Sequence, residues 1–213
     1  MMRIKERYEK ALAWFEANMP VAESELHFEN EYQLLVAVML SAQCTDKRVN
    51  LVTPALFEAY PTIADLADSN AETVLKYIRS VSYPNSKAEH LVQMAKRVVD
   101  VYRGNIPDSR EELQTLAGVG RKTANVVLTE GFKIPRIPVD THVERVSKRL
   151  GIIDDKATVL DVENKLMLLI EESKWHKAHH LLLFMGRYKC LAKNPKCSDC
   201  FYNENCKYDK KTS

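Results

Sequence analysis

Four of the chain's five cysteines fall within seventeen residues, at Cys190, Cys197, Cys200 and Cys206. The spacing is C-x6-C-x2-C-x5-C. An odd total argues against a disulfide framework. So does the start of the chain, where Arg3, Lys5, Arg7 and Lys10 interleave with Glu6 and Glu9 and no apolar leader follows. Four thiols in one turn-rich segment are better explained by a metal. Asn194, Pro195, Ser198, Asp199, Asn203 and Asn205 supply the turns that let the chain wrap around it. Zinc and iron–sulfur clusters both accept four cysteines. A single C-x2-C flanked by longer arms suits a bulkier cubane better than one small ion, with zinc as the alternative. The fifth cysteine, Cys44, reads as a small buried hydrophobe.

The rest of the chain reads as helix. Ile4, Tyr8, Leu12 and Phe15 mark an amphipathic first helix that stops near Pro20. Helices are expected over about 28–43, 46–60, 70–80, 85–103, 110–116, 121–131, 141–150, 158–172 and 175–190. Residues 34–40 are all apolar, so the second helix belongs in a core. Pro54 should kink the third or split it in two. Gly104 suits a helix end, and Ser109 with Glu112 has capping-box spacing. No alternating strand pattern is present, and the fold class is all-α. The 213 residues can bury a sizeable core. The longest apolar runs are far too short to span a bilayer. A monomer with no membrane partner is expected, in the cytoplasm and, in a prokaryote, at the nucleoid. Ile134-Pro135-Arg136-Ile137-Pro138 is the clearest linker.

Two helices flank Leu116-Ala117-Gly118-Val119-Gly120-Arg121-Lys122-Thr123. Two glycines one residue apart permit a tight turn and close approach of another molecule to bare backbone. The turn opens a helix, whose first N–H groups make an anion site suited to a phosphate diester. Arg121 and Lys122 add charge. A nucleotide-triphosphate loop fails on spacing and on the missing strand. An ordinary helix–turn–helix connection stays equally open on these residues alone. Downstream, Asp140 and Thr141 are both candidate N-caps, and Thr141 with Glu144 has capping-box spacing. If Thr141 caps, Asp140 lies one residue outside with its carboxylate free. Lys122 and Asp140 then form a possible amine–carboxylate pair. The positive end of a helix opposes the lysine's charge and a nearby carboxylate favours it.

Taken together, these segments resemble the endonuclease III family of base-excision repair DNA glycosylases. The resemblance covers roughly residues 25–210. It rests on Leu-Ser-Ala-Gln-Cys-Thr-Asp at 40–46, Asn85-Ser86-Lys87-Ala88, the glycine hairpin running on to Val127, Val139-Asp140-Thr141-His142, Gly186-Arg187-Tyr188 and the cysteine spacing. It implies a six-helix domain over 24–134, carrying a helix-hairpin-helix motif. A second helical domain would combine 1–23 with 135–213 and end in a 4Fe-4S cluster loop over 190–206. DNA would bind in the cleft between them, with Gly118, Val119, Gly120 and Arg121 on the phosphates. The implied partner is double-stranded DNA containing damaged pyrimidines or abasic sites. Lys122 resembles the family nucleophile, which attacks C1′, forms a Schiff base and cuts the strand 3′ to the lesion by β-elimination. Asp140 resembles the aspartate that assists proton transfer and stabilises positive charge on the sugar. Gln43 matches the glutamine that fills the gap left by the flipped nucleotide. Many relatives carry Gly-Leu-Tyr before Asn-Ser-Lys; here Ser82-Tyr83-Pro84 stands there, so Tyr83 takes the place of a wedging leucine. The hairpin also has Ala117 where proline is usual. The alternatives are a monofunctional mismatch glycosylase, which would lack Lys122, and a non-catalytic cluster-bearing DNA-binding protein.

The net charge of +2 is low for a nucleic-acid binder. It is an average over two populations. Residues 121–150 hold seven basic and three acidic residues, and residues 171–213 hold nine and five. The hairpin and cysteine segments are basic, and the remainder is acidic.

Overall fold

The computed structural model describes residues 4–18 and 24–211. Eleven α-helices are formed among them and no strand. They divide into two compact units, Ser24–Ile134 and Met1–Glu23 with Pro135–Ser213.

The first unit is built around α2 (Glu31–Ser41), whose residues 34–40 are all buried. Asn30 caps it by accepting from the Gln33 N–H. Helix α2 packs against α3 (Asp46–Ala59), α6 (Pro84–Tyr102) and α8 (Arg121–Glu130), while α4 (Ile63–Ala67) and α5 (Ala71–Ile78) pack on α6, and α7 (Arg110–Leu113) on α8. Pro54 does not divide α3, which runs as one helix. Pro54 lies on its exposed side, so the missing N–H withdraws nothing from the core. The short α4 is not evident from periodicity; its Thr62–Asp65 capping box holds a single turn over the buried Ile63 and Leu66. Ser109 caps α7 as its spacing suggests, but the helix stops at Leu113. Arg103 and Gly104 are both left-handed at the end of α6, and the Gly104 N–H donates to Val98 O at 3.0 Å.

The second unit contains α1 (Ile4–Asn18), α9 (Thr141–Arg149), α10 (Val159–Leu169) and α11 (Trp175–Phe184). The expected stop of α1 at Pro20 lies outside the described residues. Val143, Val146, Leu166, Ala178 and Leu181 are among its buried core. The expected helix over 175–190 changes character at Met185. Residues Met185–Lys189 form one π-helical turn, and the Cys190 N–H closes it on Met185 O at 2.7 Å. Such a wide turn is rare and often marks a functional position. Among the described residues, no helix is long and apolar enough to cross a membrane.

Candidate functional site

In the first unit, the glycine hairpin closes when the Val119 N–H donates to Leu116 O at 3.1 Å. Gly118 has φ +75, and a Cβ there would stand 3.0 Å from the His90 Cβ on α6. The fold therefore requires this glycine. Val119 has its side chain in the core and its N–H bonded within the turn, so it anchors the hairpin. Gly120 differs from both. Its φ is −88, and a Cβ there would meet nothing within 4 Å. As the N-cap of α8 it supplies no side-chain bond to the helix start. Bare backbone and an uncapped helix N-terminus suit an incoming anion. Arg121 is half-buried and Lys122 exposed, in the first turn of this helix.

A second cluster lies beside the hairpin. Met39, Ala42, Gln43, Tyr83, Ser86, Lys87, His90 and Gly118 line one cavity of about 150 Å³. Gln43 sits in a turn after α2. Ala42 has φ −56 and ψ 113, Gln43 has φ 55, and the Cys44 N–H donates to Ser41 O at 3.0 Å. That is type II turn geometry, in which the third position ordinarily belongs to glycine or asparagine. Tyr83 has φ 54 and ψ 50 and is 66% exposed, immediately before Pro84. A residue before proline is ordinarily extended. Each non-glycine residue in such a conformation costs about 1–3 kcal/mol. Cys44 is half-buried against the core of this unit.

In the second unit, Asp140 is itself the N-cap of α9. Its Oδ1 accepts from the His142 and Val143 N–H groups, both at 2.9 Å. The arrangement with Thr141 as the cap and Asp140 outside it is not the one that forms. Aspartate is the stronger cap, and its charge suits the positive helix end. Oδ2 takes no part in the cap, so the half-buried carboxylate keeps one oxygen for other work.

Cys190, Cys197, Cys200 and Cys206 are all half-buried, and all four line one cavity with Arg149, Leu150, Met185, Pro195 and Tyr202. None is in a disulfide. Burial pushes the Cys200 and Cys206 thiols up, and neighbouring cysteines push the same way. Four thiols gathered in partly desolvated surroundings call for a cation if they are to ionise. Four cysteine thiolates are a donor set that both a zinc ion and an iron–sulfur cluster accept.

Two arginines of α9, not evident from the sequence, brace this loop. Arg145 donates through Nε to Cys190 O at 3.0 Å and through Nη2 to Gly186 O at 2.8 Å. Arg149 donates through Nη1 to Cys190 Sγ at 3.3 Å and Leu191 O at 2.7 Å. Its guanidinium lies 3.9 Å from the Tyr208 ring centre. Trp14 of α1 stacks on Phe201 at 4.4 Å. Gly186 is required by close packing, because a Cβ there would stand 2.6 Å from the His142 Cβ. Lys193 and Lys196, on the cysteine loop, are exposed.

The profile of the HhH-GPD superfamily base excision DNA repair proteins matches residues 36–172. Endonuclease III of Bacillus subtilis (strain 168) is 47% identical over 85% of this chain and 83% of its own. Endonuclease III of Escherichia coli (strain K12) is 39% identical over 91% of this chain and 92% of its own. Among solved structures, a trapped endonuclease III–DNA covalent intermediate superposes with a TM-score of 0.93 at 43% identity, over 97% of each chain. A thermostable thymine-DNA glycosylase shares the fold, with a TM-score of 0.82 at 21% identity over 96% of each chain. Matched along nearly its whole length, the chain belongs to the endonuclease III family of base excision DNA repair enzymes.

Proposed function

We propose that this base-excision repair glycosylase and AP lyase removes oxidised pyrimidines from duplex DNA through a Schiff base on Lys122. The observation that carries the reading is the placement of Lys122: exposed, in the first turn of a helix whose N-cap, Gly120, has no side chain to cover it. Phosphates held on that N-terminus would bring the sugar to the amine. The damaged nucleotide must leave the stack, because its C1′ is inaccessible in the duplex. Gln43 and Tyr83 fill the gap it leaves. A covalent DNA intermediate trapped for an endonuclease III at 43% identity supports a covalent route.

The Lys122 amine attacks C1′ and the glycosidic bond breaks, its electron pair leaving with the base. Opening of the sugar gives the protonated imine. Loss of a C2′ proton then expels the 3′ phosphate, and water hydrolyses the imine to restore the amine. Asp140 assists these proton transfers through the oxygen its cap does not use, and its charge stabilises the cationic sugar.

Cys190, Cys197, Cys200 and Cys206 hold a 4Fe-4S cluster in this reading. When bound, it cross-links an otherwise turn-rich loop. Arg149 and Arg145 tie that loop to α9, and Asp140 caps the same helix.

Borohydride reduction on a duplex carrying an oxidised pyrimidine tests the chemistry. Wild-type protein should be trapped covalently and Lys122→Ala should not. Base release without any adduct would show a monofunctional glycosylase. Binding without base release would leave a non-catalytic DNA-binding protein.

A further inference from the structure

We propose that Lys87 is a positioning residue that holds the Gln43 and Tyr83 segments ready to enter the DNA stack. The inference rests on the reading of those two residues as gap fillers.

Lysine is seldom buried, yet Lys87 is 8% exposed. Its Nζ donates to Leu40 O and Ala42 O, both at 2.7 Å. These carbonyls belong to the last turn and the C-cap of α2, where no intrahelical partner is available. The ammonium also meets the negative end of that helix. The residue after Ala42 is Gln43, in its left-handed turn position. The Lys87 N–H donates to Tyr83 O at 3.1 Å, closing the first turn of α6 on the other left-handed residue. Ser82 Oγ completes the bracket by donating to Gln43 O at 2.7 Å. One residue thus ties both strained segments, by its side chain to one and its backbone to the other.

The arrangement costs more than stability alone would justify. A glycine at 43 and an extended residue at 83 would relieve both strained conformations. A buried ammonium adds desolvation, which pushes Lys87 below the ordinary lysine range. Strain that surrounding contacts hold in place is typical of a preorganised site. Both side chains it presents are exposed, on the rim of the cavity that Lys87 also lines.

The test uses a duplex with a tetrahydrofuran abasic analogue and 2-aminopurine opposite it. A residue inserted into the gap unstacks the 2-aminopurine and raises its fluorescence at saturating protein. Lys87→Met should bind this duplex within about threefold of wild type, because the hairpin is intact. Its saturated fluorescence rise should fall at least threefold, and Lys87→Arg should recover part of it. A purely structural lysine would lower thermal stability and leave the saturated signal of folded protein unchanged; that result overturns the proposal. Gln43→Ala and Tyr83→Ala separate the two readings. If they lower the signal and Lys87→Met does not, the Lys87 proposal alone fails. If neither lowers it, the gap-filling reading fails and the proposal goes with it. Should Lys87→Met not fold, Ser82→Ala carries the test. A partial loss of signal supports the bracket, and an unchanged signal overturns it.

Discussion

Arg149 reaches from α9 to the first cysteine of the four-cysteine loop, its Nη1 3.3 Å from Cys190 Sγ. The same guanidinium holds the carbonyls of Leu191 and Ala192 and packs on Tyr208. A cation donating to a thiolate stabilises the ligand, and the two carbonyl bonds set the loop's path. Arg149→Met keeps the stem and removes every donor. Hydrogen bonds to charged groups are worth about 1.5–3 kcal/mol. With the proposed 4Fe-4S cluster bound, the variant should lose visible iron–sulfur absorbance several times faster than wild type under chelator. Arg149→Lys should recover little, since an ammonium cannot reproduce the planar fork. Equal lifetimes for wild type and Arg149→Met would remove the arginine from any account of the loop.

Asp140 combines two tasks that substitution can separate. Oδ1 caps α9, and the proposed chemistry uses the carboxylate charge. Asparagine caps a helix as well as aspartate, whereas alanine loses about 1 kcal/mol at such a position. Asp140→Asn should therefore melt close to wild type while strand cleavage falls roughly a hundredfold or more. Asp140→Ala should lose comparable activity and melt lower as well. If Asp140→Asn cleaves at the wild-type rate, the aspartate is a cap and nothing else.

The buried ammonium of Lys87 predicts a pH signature. Desolvation lowers its pKa in the folded chain relative to the unfolded value of 10.5. At pH values between the two, the unfolded chain binds more protons from this group. Stability due to this residue therefore rises with pH there, as the cost of burying the charge is relieved. Urea melts of wild type and Lys87→Met should show the difference shifting in favour of wild type between neutral pH and about 10. A difference that stays constant, or shifts the other way, would contradict the direction.

How far the sequence discloses this molecule depends on whether a feature is local. Helix α2 is legible because seven apolar residues in a row admit no solvent-facing side. The cysteines are legible as a set because only fifteen residues of chain lie between the first and the last. The glycines at 118 and 120 look equivalent in sequence, yet one is demanded by His90 and the other by nothing in the protein. Distant partners decide such cases. Arg149 stands 41 residues from the sulfur it meets, and Lys87 stands 45 residues from Ala42 O. Periodicity gives a lysine on α6 a place in solvent, and only the end of another helix explains why it is inside. Pro54 misleads for a related reason: a proline breaks a helix only where its missing hydrogen bond matters, and here it faces outward. Left-handed φ at Gln43 and Tyr83 has no sequence signal, because the residues usual for it are absent.

The two hairpin glycines give opposite predictions. At Gly118, φ +75 and the His90 ring beside it make any side chain strained. Gly118→Ala should destabilise the protein by about 1–2 kcal/mol. DNA binding would fall with it, and that loss would say little about contact. At Gly120 the backbone is ordinary and a methyl group meets nothing within 4 Å. Gly120→Ala should therefore melt within about 1 kcal/mol of wild type, since only the cap preference changes. If a phosphate lies against the start of α8, the methyl stands between it and the N–H groups. Affinity for duplex DNA should then drop about tenfold, which is about 1.4 kcal/mol, with no loss of fold. Fluorescence anisotropy at fixed salt measures this directly, and the salt must be stated because phosphate binding depends on it. Wild-type affinity in a well-folded Gly120→Ala would show that the hairpin is only a connection between two helices.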